Sequence, residues 1–316
     1  MTREVFFVEK PGLQTTIQDR GRFGYQQYGI VTAGVMDEYS YTVSNLLVGN
    51  DRSAAVLEIH VVGPTLYALE DIELAICGAN LSPMVDGKPI PLWAVVKVKK
   101  NQRLSFGKPK EGRIAYVAIH GGFNVPSVLG SKSTYTKGRF GGIEGRALQK
   151  GDRLFTEKRK GLCRRVHLGA ELIPNFTERK TIRVIKGPDE HLFSDNGFVT
   201  FFQSKYTISA KSDRMGYRLD GPIVEHKSSS NILSDAVTFG TIQIPDNGKP
   251  IIMLADHQTT GGYSRIGTVI SVDLPYIVQK RQGDVVTFSP IDIKTAQRER
   301  IQLEKQFRML SAFLHH

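Results

Sequence analysis

Carboxylates, guanidinium groups, amides and hydroxyls crowd together at four places in this chain, each time beside glycine. The first is 11–29, PGLQTTIQDRGRFGYQQYG, with Gln18, Asp19, Arg20 and Arg22 among tight turns. A guanidinium grips a carboxylate or phosphate through two parallel N–H bonds, and a neighbouring carboxylate can fix its orientation. The same residues would equally make a β-turn stapled by a local Asp–Arg pair. The second place is 78–82, where Asn80 and Ser82 follow an apolar strand and Gly78 allows close backbone approach to a ligand. The third runs from Gly121-Gly122 through Ser131, Lys132, Ser133 and Thr134 to Gly141-Gly142 and Gly145. It reads either as a mobile loop for anion binding or lid closure, or as a plain flexible connection. The fourth is 254–263, with Asp256, His257, Gln258, Thr259 and Thr260 ahead of Gly261-Gly262. Such a set can orient an amide or carboxylate and stabilise charge developing on a carbonyl oxygen. It can also be a turn held by its own side chains.

Other chemistries are excluded. The chain contains no G-x-x-x-x-G-K-[ST], no G-x-G-x-x-G, no H-E-x-x-H and no G-x-S-x-G. Phosphate-loop, dinucleotide, zinc-protease and serine-hydrolase readings therefore fall away. Two cysteines, Cys77 and Cys163, cannot build a disulfide framework or a multi-cysteine zinc site, and the histidines other than the terminal His315-His316 stand singly, so no metal is expected. The net charge of +11 comes with no helix-turn-helix or RNA-binding signature, so no nucleic acid is expected. The charge reads first as solvated surface, and otherwise as a field that steers an anionic substrate or an acidic protein. No apolar run approaches the roughly 20 residues that span a bilayer, and the charged start does not read as a secretory signal. A cytoplasmic enzyme or enzyme component, without membrane attachment, is the expectation.

The elements that must position these clusters are mostly β. Period-2 alternation recurs in VLEIHVV, DIELAIC, RIAYVAIHGG, TIRVIKG, FVTFF, KYTIS, GTIQIP, IIMLAD, GTVISVDL and DVVTFS, with glycine- and proline-rich turns between them. Two helices are predicted. One follows Asp37 as N-cap, with a stripe of Tyr39, Val43, Leu46 and Leu47. The other is amphipathic, over about 293–314, on Leu303, Phe307, Leu310 and Leu314. DRGRFGYQQYG at 19–29 is echoed by DRMGYRLDG at 213–221. That echo suggests a duplicated β domain, with the boundary in the basic segment around 161–181.

The segments PGLQTTIQDRGRFGYQ, GVMDEYS, NLLVGN, LEIHVVGP, AICGANLSP, DGKPIPLW, GGFNVPSVLGSKST and GTIQIPDNGKPIIMLADHQTTGGY together resemble the KipA family. That family is also known as allophanate hydrolase subunit 2 or biotin-dependent carboxyltransferase-like proteins. The likeness runs from about Val8 to Phe288. It implies two cyclophilin-like β-barrel domains, placed at 1–165 and 166–290, with a C-terminal helix at 291–316. It implies a KipI-type partner as the B component of an ATP-dependent 5-oxoprolinase, a LamB/YcsF-type partner as the A component, and this chain as the C component. ATP would be consumed by the complex. The fused counterpart is the carboxyltransferase part of urea carboxylase, and biotin would enter only under that reading; no biotin-carrier lysine motif is present. A third reading is a regulator that binds a KipI-type kinase inhibitor. Either chemistry requires a small planar amide or urea to be held while charge builds on its carbonyl. Arg22 and Arg214 are then expected at the substrate carboxylate, with Asp19 orienting Arg22. Gln258 and Thr259 are expected at the amide and Asp256 behind them. Gln18, Asn80, Ser131, Ser133 and Thr260 are expected as further substrate contacts.

Overall fold

The computed structural model of the chain describes residues 2–157 and 166–315. The mostly-β reading and the C-terminal helix hold. Two compact units are present, one from residues 1–22, 33–175 and 306–316, the other from 23–32 and 176–305. The basic run 158–165, with Cys163 and the expected boundary at 165, lies outside the described residues.

The first unit is built on two sheets. One has the order Arg153–Glu157, Thr2–Lys10, Thr65–Ala68, Arg103–Phe106, Pro83–Val85, Lys88–Pro89. The other has Gln14–Gln18, Val56–His60, Glu111–Ile119, Ile72–Asn80, Val95–Val98. Strand alternation sends Phe6, Val8, Leu66 and Leu104 from the first sheet, and Ile17, Leu57, Ile59, Ile76 and Val117 from the second, into one shared core. Such burial, at about 25 cal/mol per Å² of apolar surface, is the main force holding the sheets together.

The other face of the five-stranded sheet is also buried. Helix Glu38–Leu47 packs on it, and Asp37 caps the helix by accepting from the Ser40 N–H at 2.9 Å. The predicted apolar stripe is present. The polar positions Ser40, Thr42, Ser44 and Asn45 are buried as well, so the helix has no wet face.

In the second unit eight strands form one sheet, and the pairing of Thr181–Lys186 with Thr260–Val269 links distant strands of it, curling it toward a partly closed barrel. The segment FVTFF, expected as a strand, is instead part of helix Asp195–Gln203. Ser194 accepts from the Gly197 N–H at 2.8 Å and sets the helix start, which outweighs the β preference of a short aromatic run. The C-terminal helix spans Ile293–His315.

Candidate functional site

In the first unit, strand Gln14–Gln18 delivers Gln18 and Asp19 onto the segment 131–134. Gln18 Nε2 donates to Thr16 Oγ1 at 3.0 Å and to the Thr134 carbonyl at 3.1 Å. Asp19 Oδ1 accepts from Ser131 Oγ and Ser133 Oγ, each at 2.6 Å, and from the Gly21 N–H at 2.9 Å. Its Oδ2 accepts from the Lys132 N–H at 2.6 Å. Arg22 grips the same turn from another side. Its Nη2 donates to the Ser133 carbonyl at 2.5 Å, and its guanidinium lies 4.7 Å from the Phe140 ring centroid.

The four residues Gln18, Asp19, Ser131 and Ser133 are thus brought together, with Arg22 beside them. The arrangement differs from a presented anion clamp, however. Arg22 is only 1% exposed and turns its Nε and Nη2 to the Val128 and Ser133 carbonyls, and Asp19 is filled by donors from its own chain. A buried charge is tolerated only when so satisfied, which makes these residues the builders of the loop.

The loop that read as mobile is consequently tied down. Bridges Val128↔Ser131, Tyr135↔Phe140 and Ile143↔Arg146 fold it on itself. Gly141 sits at φ +73°, and a Cβ there would come within 2.0 Å of the Ser133 carbonyl oxygen. The loop N–H groups of Lys132, Ser133, Thr134 and Gly142 point to acceptors within the chain. This is therefore not a phosphate cradle, and the residues do not fit a nucleotide here. Beside the loop lies a cavity of about 540 Å³ floored by Ile17 and Leu154.

Sequence reasoning missed a second cluster in this unit, between the five-stranded sheet and helix Glu38–Leu47. Glu58 is fully buried. It accepts from the Met36 N–H at 2.9 Å and from the Tyr116 hydroxyl at 2.8 Å, and lies 2.9 Å from His60 Nε2. The Tyr116 hydroxyl in turn accepts from the Asp37 N–H at 2.8 Å. Burial, reinforced by Glu58 and Asp37, pushes the Tyr116 phenol well above its usual range, so it stays a donor. Cys77 is likewise buried, and its thiol is pushed up by burial, which removes it as a nucleophile. The signal was the alternation of Glu58 and His60 with core residues. It reads as a solvent face unless the helix covering that face is known.

Asn80 closes strand Ile72–Asn80, and its Oδ1 accepts from the Ser82 N–H at 3.0 Å, forming a local turn. No bond links it to the Asp19 group among the described residues.

In the second unit, Arg214 and Asp256 form a buried two-point pair, Nε to Oδ2 at 3.0 Å and Nη2 to Oδ1 at 2.9 Å, each side chain 6% exposed. The Asp256 N–H also donates to the Arg214 carbonyl at 2.9 Å. Asp256 thus faces Arg214, and the pair fixes the turn that carries the next residues. His257 Nδ1 lies 2.6 Å from the Gln258 carbonyl, and burial lowers the imidazole pKa despite that bond and Asp256, so it is neutral near pH 7. Gln258 and Thr259 are half-buried and Thr260 is exposed, at the start of strand Thr260–Val269. Among the described residues their side chains have no hydrogen-bond partner. They are the uncommitted polar groups of the turn, suited to meet an amide. Among the described residues no grouping of three or more His, Cys, Asp or Glu is able to hold a metal, and no helix is long and apolar enough to cross a membrane.

Residues 28–290 match the family model described as the carboxyltransferase domain, subdomain A and B. The chain is 36% identical over 306 residues to the C subunit of 5-oxoprolinase from Escherichia coli, covering 97% of each protein. It is 34% identical to the urea amidolyase of Saccharomyces cerevisiae over 90% of this chain, spanning only 16% of that protein. Among solved structures, the urea amidolyase of K. lactis superimposes with a TM-score of 0.91 at 30% identity, over 97% of this chain and 20% of that one.

Proposed function

This chain belongs to the carboxyltransferase domain family, subdomains A and B, and from that membership we propose that it is the C subunit of an ATP-dependent 5-oxoprolinase. The assembly would open the cyclic amide 5-oxoproline to L-glutamate together with a KipI-type partner and a LamB/YcsF-type partner. One observation carries the reading: the likeness to the C subunit of the Escherichia coli 5-oxoprolinase runs end to end in both proteins, whereas the urea amidolyase matched covers a small fraction of a much longer chain.

The roles follow from the bonds already described. Gln258, Thr259 and Thr260 have open hydrogen-bonding capacity and take the planar amide, steadying charge on its carbonyl oxygen. Arg214 and Asp256 position that turn. Asp19, with Ser131, Ser133, Gln18 and Arg22, positions the loop 121–146. Among the described residues no side chain is an activated nucleophile; on this reading the isolated chain has little activity and the nucleotide is handled by another member of the complex.

The three proteins are mixed with ATP and 5-oxoproline, and glutamate is measured with and without this chain. Glutamate release that needs the chain supports the reading; equal release in its absence refutes it. The 0.91 superposition favours one alternative, a carboxyltransferase component working with a separate biotinylated protein. Biotin-dependent turnover of urea would select it. Binding of a KipI-type inhibitor with no turnover of either substrate would select a regulatory role.

A further inference from the structure

The cavity beside the loop of the first unit has a chemistry of its own. Its volume, about 540 Å³, is that of a small-molecule pocket. Ile17, Val125, Val128, Phe140, Leu154 and Phe155 give it an apolar wall. Charge is confined to the rim. Arg153 pairs with Glu4 at 2.7 Å, and Arg146 is gripped by Asp152 at 2.7 Å while also meeting the exposed Glu144 at 3.1 Å. Arg139 remains: it lines the cavity, is exposed, and has no ion pair or hydrogen bond among the described residues.

Arg139 is also held in place. It is the penultimate residue of a hairpin closed by the Tyr135 N–H on the Phe140 carbonyl at 2.9 Å, with the two rings edge to face at 5.6 Å. Its φ of +56° is in the left-handed region that an arginine enters only under constraint. The Phe140 ring is also stacked by buried Arg22. The hairpin thus fixes the backbone that carries the rim cation.

We propose that this cavity binds a small monocarboxylic acid with a compact apolar body, the body against Ile17, Val128 and Leu154 and the carboxylate on Arg139. Arg139 offers one cation to one negative charge; a phosphate would bring nearly two to a rim that also carries the exposed Glu144 carboxylate and whose other arginines are already paired. The assignment stands independently of the reaction proposed above.

Cyclopentanecarboxylate, which has no amide to open, is titrated into the full-length chain by calorimetry, with cyclopentylmethanol as the uncharged control. The acid should bind and the alcohol at least about tenfold more weakly. Arg139→Gln should weaken the acid by a similar factor and leave the alcohol unchanged, while Arg139→Lys restores part of the loss. Val125→Trp, which fills the space, should abolish both. Absence of acid binding, equal binding of acid and alcohol, or an acid affinity untouched in Arg139→Gln each overturns the proposal. Circular dichroism confirms that each variant is folded. Because no turnover is read, the outcome is separable from the fate of the 5-oxoprolinase reading.

Discussion

At the scale of single residues, satisfaction of buried charge decides what each group does. Asp19 collects four donors, from Ser131, Ser133, Lys132 and Gly21. Asp19→Ala leaves these without their acceptor inside a largely buried turn, and each orphaned donor is costly. The substitution is expected to lower unfolding stability by about 2–4 kcal/mol, read by urea titration; a loss within about 0.5 kcal/mol would show that the loop stands without it. His257 supplies a pH dependence. Burial holds its folded pKa below the ordinary 6.5, so the folded protein prefers the neutral ring. Its contribution is intact above the unfolded pKa and is lost as pH falls through the folded value, because the unfolded chain takes up the proton first. The melting temperature is expected to drop from about pH 6.5 downward, and His257→Gln should flatten that part of the curve. An unchanged slope in the variant would remove His257 as the cause.

At the scale of elements, the loop 121–146 shows how backbone geometry and packing act separately. Gly130 and Gly141 both have positive φ, +76° and +73°. A Cβ at Gly130 meets nothing within 4 Å, whereas at Gly141 it would lie 2.0 Å from the Ser133 oxygen and 2.8 Å from Arg22 Nη2. Gly130→Ala should therefore cost only the left-handed penalty, about 1 kcal/mol, and Gly141→Ala about 3 kcal/mol or more, as chemical denaturation would measure. Equal losses would mean that the loop yields freely at Ser133. Much of this element was legible. The glycines, Ser131 and Ser133 mark it as special, whereas Asp19 reads as stapling its own turn to a neighbouring arginine, not as the acceptor for this loop. What local pattern does not encode is a partner more than a hundred residues away, so the loop reads as mobile although Asp19 and Arg22 pin it. The same limit hides the Glu58–Tyr116 contact, formed across neighbouring strands under a helix whose own pattern shows only an apolar stripe.

At the scale of the whole molecule, the order of the chain and the units it builds do not coincide. Residues 306–316 belong to the unit that the first residues begin, while 293–305 of the same helix belong to the other. The sequence announces the helix through its amphipathic period but not this division, since a stripe records that burial occurs and not which surface supplies it. Within the first unit the docking is specific. Phe307 is fully buried, with its ring 5.6 Å from Tyr39 and 4.6 Å from the Arg52 guanidinium carbon. Tyr39 donates to the Leu172 carbonyl at 2.5 Å and lies 6.2 Å from Trp93, the chain's single tryptophan. Phe307→Ala removes the ring on which Tyr39 and Arg52 rest, a loss of about 3–5 kcal/mol for a large aromatic that leaves a cavity. Trp93 fluorescence during urea unfolding reports the change from inside the same unit. Phe313, 74% exposed six residues further on, is the matched comparison, and Phe313→Ala should change the unfolding free energy by no more than about 0.5 kcal/mol. If the two variants unfold alike, the end of the helix does not anchor the unit, and the contacts of Phe307 with Tyr39 and Arg52 contribute nothing to its stability.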